Sequence, residues 1–258
     1  ALMHFLLEFA TLTHSELFLL GLICLVAGIV SGFTGFALSA VIMSSATFLI
    51  SPIQLIPICF CLEIAASTLM LRTGWHDANK AVVFRLVVGS TIGLPFGLAL
   101  ITSVPIEISK VIALTLILCL SAITLIQVRI AFLVTNGGLY GSGFFAGFAS
   151  GLASVGGMVV ALYVLARQAP AREMRASLVV FLFINSVPSL ISFHFFGIMN
   201  ATSGSRGLIL AAPTILGVIL GKTLFRPKME QFYRPFCLSL LISLSTIGLA
   251  KLTYDFWV

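Results

Sequence analysis

The apolar and polar positions divide the chain into eight apolar runs, parted by charges or by Pro/Gly clusters: residues 17–50, 53–71, 82–102, 109–128, 139–166, 176–198, 207–224 and 236–256. A bilayer core of roughly 30 Å needs about 20 apolar residues per helical span, so six runs predict ordinary transmembrane helices. The first and fifth are too long for one span. Each is interrupted by small residues, Ser31-Gly32-Phe33-Thr34-Gly35 in one and Ser150-Gly151 to Gly156-Gly157 in the other. The pattern also repeats. GIVSGFTGFALSAVIMSSATFLISP (28–52) aligns with GFASGLASVGGMVVALYVLARQAP (147–170), and GSTIGLPFG (89–97) with PTILGVILG (213–221). Two membrane repeats follow, 1–128 and 129–258, within one integral membrane domain, a pattern common in secondary transporters.

Positive charges orient the runs. If all eight crossed simply with both termini outside, eight Lys/Arg would lie inside and six outside. If the two long runs enter and leave on one side as helical hairpins, the count becomes 11 inside against three (Lys110, Arg206, Lys251) outside, in better agreement with the positive-inside rule. Three true spans per half then turn the second half upside down relative to the first. The expected fold is an all-α polytopic membrane protein of two inverted repeats, each a glycine-broken helix or helical hairpin plus three transmembrane helices. Hairpin arms of about 15 residues would reach about 22 Å. A single kinked span is the alternative for each long run.

Composition agrees with a membrane solvent. Of 258 residues, 60% are apolar and 9% charged, with a mean hydropathy of +1.18, where a soluble domain carries about 25% charged residues. Fourteen Lys+Arg against eight Asp+Glu give a net charge of +6, which in such a chain reports cytoplasmic loops rather than nucleic-acid binding. Cys24, Cys59, Cys61, Cys119 and Cys237 all fall in apolar runs and read as small hydrophobes. The opening ALMHFLLEFATLTHSE lacks a basic n-region and does not read as a signal peptide. No Walker motif, HExxH, GxSxG context or Cys/His cluster is present, so neither ATP, an enzyme nor a metal or other cofactor is expected.

Broken helices at membrane depth are tolerated only where they are buried in protein or line a wet cavity. Free N–H groups and the positive dipole end at the start of each second arm favour an anion. Ser31, Gly32, Thr34 and Gly35, with Ser150, Gly151, Ser154, Gly156 and Gly157, are therefore candidate substrate-binding residues; the competing reading is close helix packing. Glu63 lies near the centre of its run and aligns with Asn185, and each has a serine four residues on, Ser67 and Ser189. That spacing places each pair on one helix face, and all four are expected at a central cavity. A carboxylate there would repel an anion unless protonated, and burial favours the neutral form. Glu63 is thus the proton-coupling candidate, against a structural bond to Arg85, Arg72 or a serine. His194 reads as an interhelical hydrogen-bond partner, Pro95, Pro188 and Pro213 as kinks, and Trp75 and Trp257 as interfacial anchors.

Residues 28–52 quoted above resemble the opening motif of the TauE/SafE family of sulfite and organosulfonate exporters and permeases. LRTGWHDANKAVVFRLVVGSTIGLPFG resembles that family's next loop and third segment, and GFASGLASVGGMVVALYVL its second-half repeat. The resemblance runs from about residue 20 to 250. It implies a secondary carrier of sulfite, sulfonates such as sulfoacetate, or related small anions in a bacterial-type inner membrane. Where the family often carries glycines, this chain has Phe36-Ala37-Leu38-Ser39, which implies a narrower or more apolar first half-site and room for an apolar tail on the substrate. The expected partners are the anion, a proton and the lipid bilayer. A small-anion channel, a carrier of a non-sulfur carboxylate and a membrane scaffold are the rival readings.

Overall fold

The computed structural model describes residues 13–126, 135–167, 170–224 and 230–257. Ten α-helices run through them: α1 (His14–Thr34), α2 (Leu38–Ala46), α3 (Pro52–Asp77), α4 (Lys80–Ser103), α5 (Ile106–Ile126), α6 (Asn136–Ala153), α7 (Gly156–Ala166), α8 (Ala171–Phe195), α9 (Ala201–Leu224) and α10 (Glu230–Trp257). The described residues contain no strand. Seven helices, α1, α3, α4, α5, α8, α9 and α10, are long and apolar enough to cross a membrane. Arg129, Arg226 and Lys228, and the side chains of Arg234 and Trp257, lie outside the described part, as does the expected repeat boundary.

Local sequence explains where the helices begin. Thr13 and Glu16 form a capping box at the start of α1. Ser51 precedes Pro52 at the first position of α3. Asn79 and Thr135 accept from Val82 N–H and Gly138 N–H at the starts of α4 and α6. Pro95, Pro188 and Pro213 each sit inside a continuous helix.

The arms of the two long runs are unequal, 21 and nine residues in the first and 18 and 11 in the second, rather than near 15 each. The physical reason is that Gly32 and Gly151 stay helical and serve close packing. The breaks come later, where the chain takes the left-handed backbone that ends a helix: Gly35 (φ 81°) and Ala37 (φ 73°) in the first run, Ser154 (φ 58°) in the second.

Glycines also set the neighbours. Gly28 backs onto Gly217 and Gly32 onto Gly221, so α1 and α9 lie in contact and run in the same sense. Gly89, Gly93 and Gly97 meet Gly143, Phe144 and Gly151 in the same manner, so α4 and α6 also run parallel. Each pair joins one half of the chain to the other. Apolar packing gains little in lipid, and close backbone approach through small residues replaces it.

Contacts at the helix ends fix both faces of the bundle. Gln54, at the start of α3, accepts from Arg206, at the start of α9 (3.2 Å). Lys251, near the end of α10, lies over Phe48, just before α3 (4.9 Å). At the opposite face, Asp77 at the end of α3 accepts from Arg172 at the start of α8 (2.7 Å). α1 therefore starts, like α9, at the face of the α3 start, and α6 starts, like α4, at the opposite face. Arg72, Lys80, Arg85, Arg167, Arg172, Arg175 and Lys222 lie towards the face where α3 ends, against Lys110, Arg206 and Lys251 towards the other. Phe18, Phe84, Phe96, Phe145, Phe195 and Phe236 are exposed on the outer surface, while Ser39, Ser67, Ser90, Ser121 and Thr214 are buried, the inversion expected in a lipid solvent.

Substitution of Gly93 or Gly221 by Val is expected to abolish a monodisperse folded peak in detergent size-exclusion chromatography. A Cβ at these positions would overlap the carbonyl of Phe144 or Ile29, and overpacking costs about 1–3 kcal/mol or more. Gly21→Ala, with open space around it, should elute as wild type.

Candidate functional site

The two breaks meet inside the bundle. Break one is closed by Gly35 N–H on Ser31 O (2.8 Å) and by the Thr34 hydroxyl, which accepts from Phe36 N–H (3.3 Å) and lies within hydrogen-bond distance of the Phe36 and Val30 carbonyls. Break two is closed by Ser154 N–H on Ser150 O (2.8 Å) and Val155 N–H on Ala149 O (3.4 Å). Just beyond them start α2 and α7. Ala37, Ser39 and Ala40 of one and Val155, Gly157 and Met158 of the other line a small cavity completed by Glu63, Ser154 and Leu182, with room for about one water. Ala37 provides no side-chain cap to α2. Two helix N-termini from different halves of the chain thus converge on one small space, and their dipoles favour negative charge there.

Glu63 is 7% exposed and faces this cavity from mid-α3. Ser39 donates to its Oε1 at 2.6 Å, so of the partners weighed for Glu63 the structure supplies a serine. Ser154 Oγ lies 3.4 Å from Ser39 Oγ, which continues the contact from one half of the chain to the other. Of the residues expected at the site, the cavity brings together Glu63, Ser154 and Gly157. Gly35 forms the first turn-out, beside Arg175, and Thr34 closes it. Ser31, Gly32, Ser150 and Gly151 lie in the last turns of α1 and α6, and Gly156 sits over the Ser150 hydroxyl. Ser67 and Ser189 turn their hydroxyls onto the Glu63 and Asn185 carbonyls of their own helices (2.5 and 2.6 Å). Asn185 is buried, with Nδ2 3.5 Å from Ser189 Oγ. His194 is exposed and edges onto Phe195. Among the described residues no group of three His, Cys, Asp or Glu could hold a metal.

A family model described as sulfite exporter TauE/SafE matches residues 20–247. The chain belongs to the TauE/SafE family. It is accordingly a multi-pass membrane protein of an exporter-type transporter family, not of an enzyme family. No curated protein and no solved structure matches the chain.

Two residues of this TauE/SafE chain were not singled out from its sequence. Ser39 is a small hydroxyl in an apolar stretch, marked only by standing where the family often has glycine. Arg175 counted only as a loop charge, yet its guanidinium donates to the Gly32 carbonyl at the C-terminal end of α1 and approaches Met70 Sδ (3.7 Å). A cation at a helix C-terminus offsets the dipole and takes a carbonyl the helix leaves open. Arg175 therefore ties break one to the start of α8. The signal available was its position five residues after Pro170, in a cluster with Arg167 and Arg172.

Arg175→Met is expected to lower the thermal midpoint in detergent markedly, since a hydrogen bond from a charged group contributes about 1.5–3 kcal/mol. Arg172→Gln breaks an ion pair whose arginine is 81% exposed, and such pairs contribute about 0–1 kcal/mol; its melting curve should nearly overlay that of wild type.

Proposed function

We propose that this protein is a secondary carrier of small sulfur-containing anions, sulfite or sulfonates such as sulfoacetate, that binds its substrate between the first turns of α2 and α7 and moves it by alternating access. The observation that carries this reading is the cavity itself, where two helix N-termini and the hydroxyls of Ser39 and Ser154 surround one small space. An oxyanion with several acceptor oxygens suits donors arranged on opposite walls. The family description points the same way.

Inverted repeats account for the transport cycle. Supporting this are the parallel contacts of α1 with α9 and α4 with α6 and the ion pair and hydrogen bond at the helix ends, which set the starts of α1 and α6 at opposite faces, as hairpins of opposite sense require. Rocking one hairpin and its partners against the other would open the cavity to each side in turn. We read the face at the end of α3, which carries most of the described Lys and Arg, as cytoplasmic, with the free ends of the first and last described helices outside, in an inner or plasma membrane. Glu63 carries the coupling proton. Its charge in the empty cavity repels an anion, and a proton taken up together with the anion removes that repulsion.

Counterflow in proteoliposomes tests the reading. Labelled sulfite or sulfoacetate outside should exchange saturably with unlabelled anion inside, and an imposed pH gradient should accelerate net uptake in wild type. Glu63→Gln is expected to retain exchange and lose the gradient effect. Absence of saturable exchange from folded protein would refute the carrier, and a gradient effect that survives in Glu63→Gln would remove the proton from Glu63.

A further inference from the structure

Ser39 stands between the two groups that the transport cycle must link. It is the second residue of α2 and 1% exposed. Its Oγ is 2.6 Å from Glu63 Oε1, and the residue also lines the cavity, with Ser154 Oγ 3.4 Å away. A serine hydroxyl has one proton to donate and two lone pairs to accept with, whereas an ionised carboxylate only accepts. Ser39 can therefore donate to Glu63 or to an anion in the cavity, but not to both.

We propose that Ser39 is the shared donor that couples substrate to proton, serving the ionised Glu63 carboxylate when the cavity is empty and the bound anion when Glu63 carries a proton. This rests on reading the cavity as an anion site with Glu63 as proton carrier. A proton from water on the side the cavity faces adds to a Glu63 oxygen and turns that carboxyl from acceptor to donor. Ser39 Oγ then accepts from Glu63 and turns its own proton to the anion. On the other side the anion leaves, Glu63 returns its proton to water, and Ser39 swings back. No other bond is made or broken. Binding of the anion and of the proton each favour the other, and the two effects are equal by linkage.

The surroundings leave this exchange little competition. Among the described residues, the cavity wall around Glu63 from α2, α7, α8 and the Ser154–Val155 break carries hydroxyls and apolar groups and no second ionisable side chain. Cys59, one turn earlier on α3, neighbours both Glu63 and Ser39; sulfur is a weak acceptor. From α9, Arg206 engages Gln54, nine residues before Glu63 on α3, and from α8, Arg175 engages Met70, seven residues after it. From α5, Glu107 and Lys110 sit on the first turn, and from α6 Tyr140 does the same.

The test compares KM for sulfoacetate at the acid and alkaline ends of the wild-type pH profile, in wild type, Ser39→Ala and Ser39→Thr. A shared donor costs the anion its hydrogen bond only when Glu63 is protonated. Ser39→Ala should thus raise KM by about tenfold at the acid end and hardly at the alkaline end, so that its profile flattens. Ser39→Thr, which keeps the hydroxyl, should restore the wild-type slope. An equal rise at both ends would make Ser39 a plain ligand and overturn the proposal, as would a profile identical to wild type. If Ser39→Ala does not fold, Ser39→Cys, similar in size and a poor donor, reads the same step. Failure of the underlying reading looks different: wild type itself would show no saturable exchange, or Glu63→Gln would keep the wild-type pH profile.

Discussion

In hydrocarbon no water satisfies an open peptide group, so a chain that stops its helices at membrane depth must surround the break with protein or use it. Two such breaks, at residues 35–37 and 154–155, organise this molecule. Each is closed on its upstream side by its own backbone, with the Thr34 hydroxyl and the Arg175 guanidinium completing the first. Each leaves the first turn of a short helix directed at the same space. The glycine contacts of α1 with α9 and α4 with α6 hold the long arms in place across the two halves, and so hold those short helices face to face.

A cavity formed in this way is polar at its donors and apolar elsewhere. Ala37, Ala40, Val155, Met158 and Leu182 give it apolar walls, and a low local dielectric strengthens the electrostatic effect of the few polar groups between them. One carboxyl in that setting dominates the local charge. The hydrogen bond from Ser39 joins that carboxyl to the start of α2, and the contact of Ser39 with Ser154 carries the chain of side chains on to the second break.

Much of this was legible in the sequence because lipid imposes a strong length rule. The apolar runs locate the spanning helices, and the overlong pair of runs locates the broken ones. Glu63 stood out because a charge in an apolar run is costly. Arm lengths were not legible, since glycine marks both a break and a close contact: Gly32 and Gly151 pack, whereas Gly35 turns. Ser39 carried no charge signal, and its partner lies 24 residues away across a turn. Arg175 reads as an ordinary loop cation until the fold brings α8 beside the end of α1, 143 residues earlier at Gly32.

Alternating access would expose the space between the two breaks to each side of the membrane in turn, and side-specific labelling of that space reads this out. In a background with the native cysteines replaced, Ala40→Cys would be exposed to a membrane-impermeant thiol reagent from one side of sealed vesicles and then from the other. Labelling is expected from both sides, slowed in each case by sulfite or sulfoacetate. Labelling confined to one side, or unaffected by either anion in protein that folds, would contradict it.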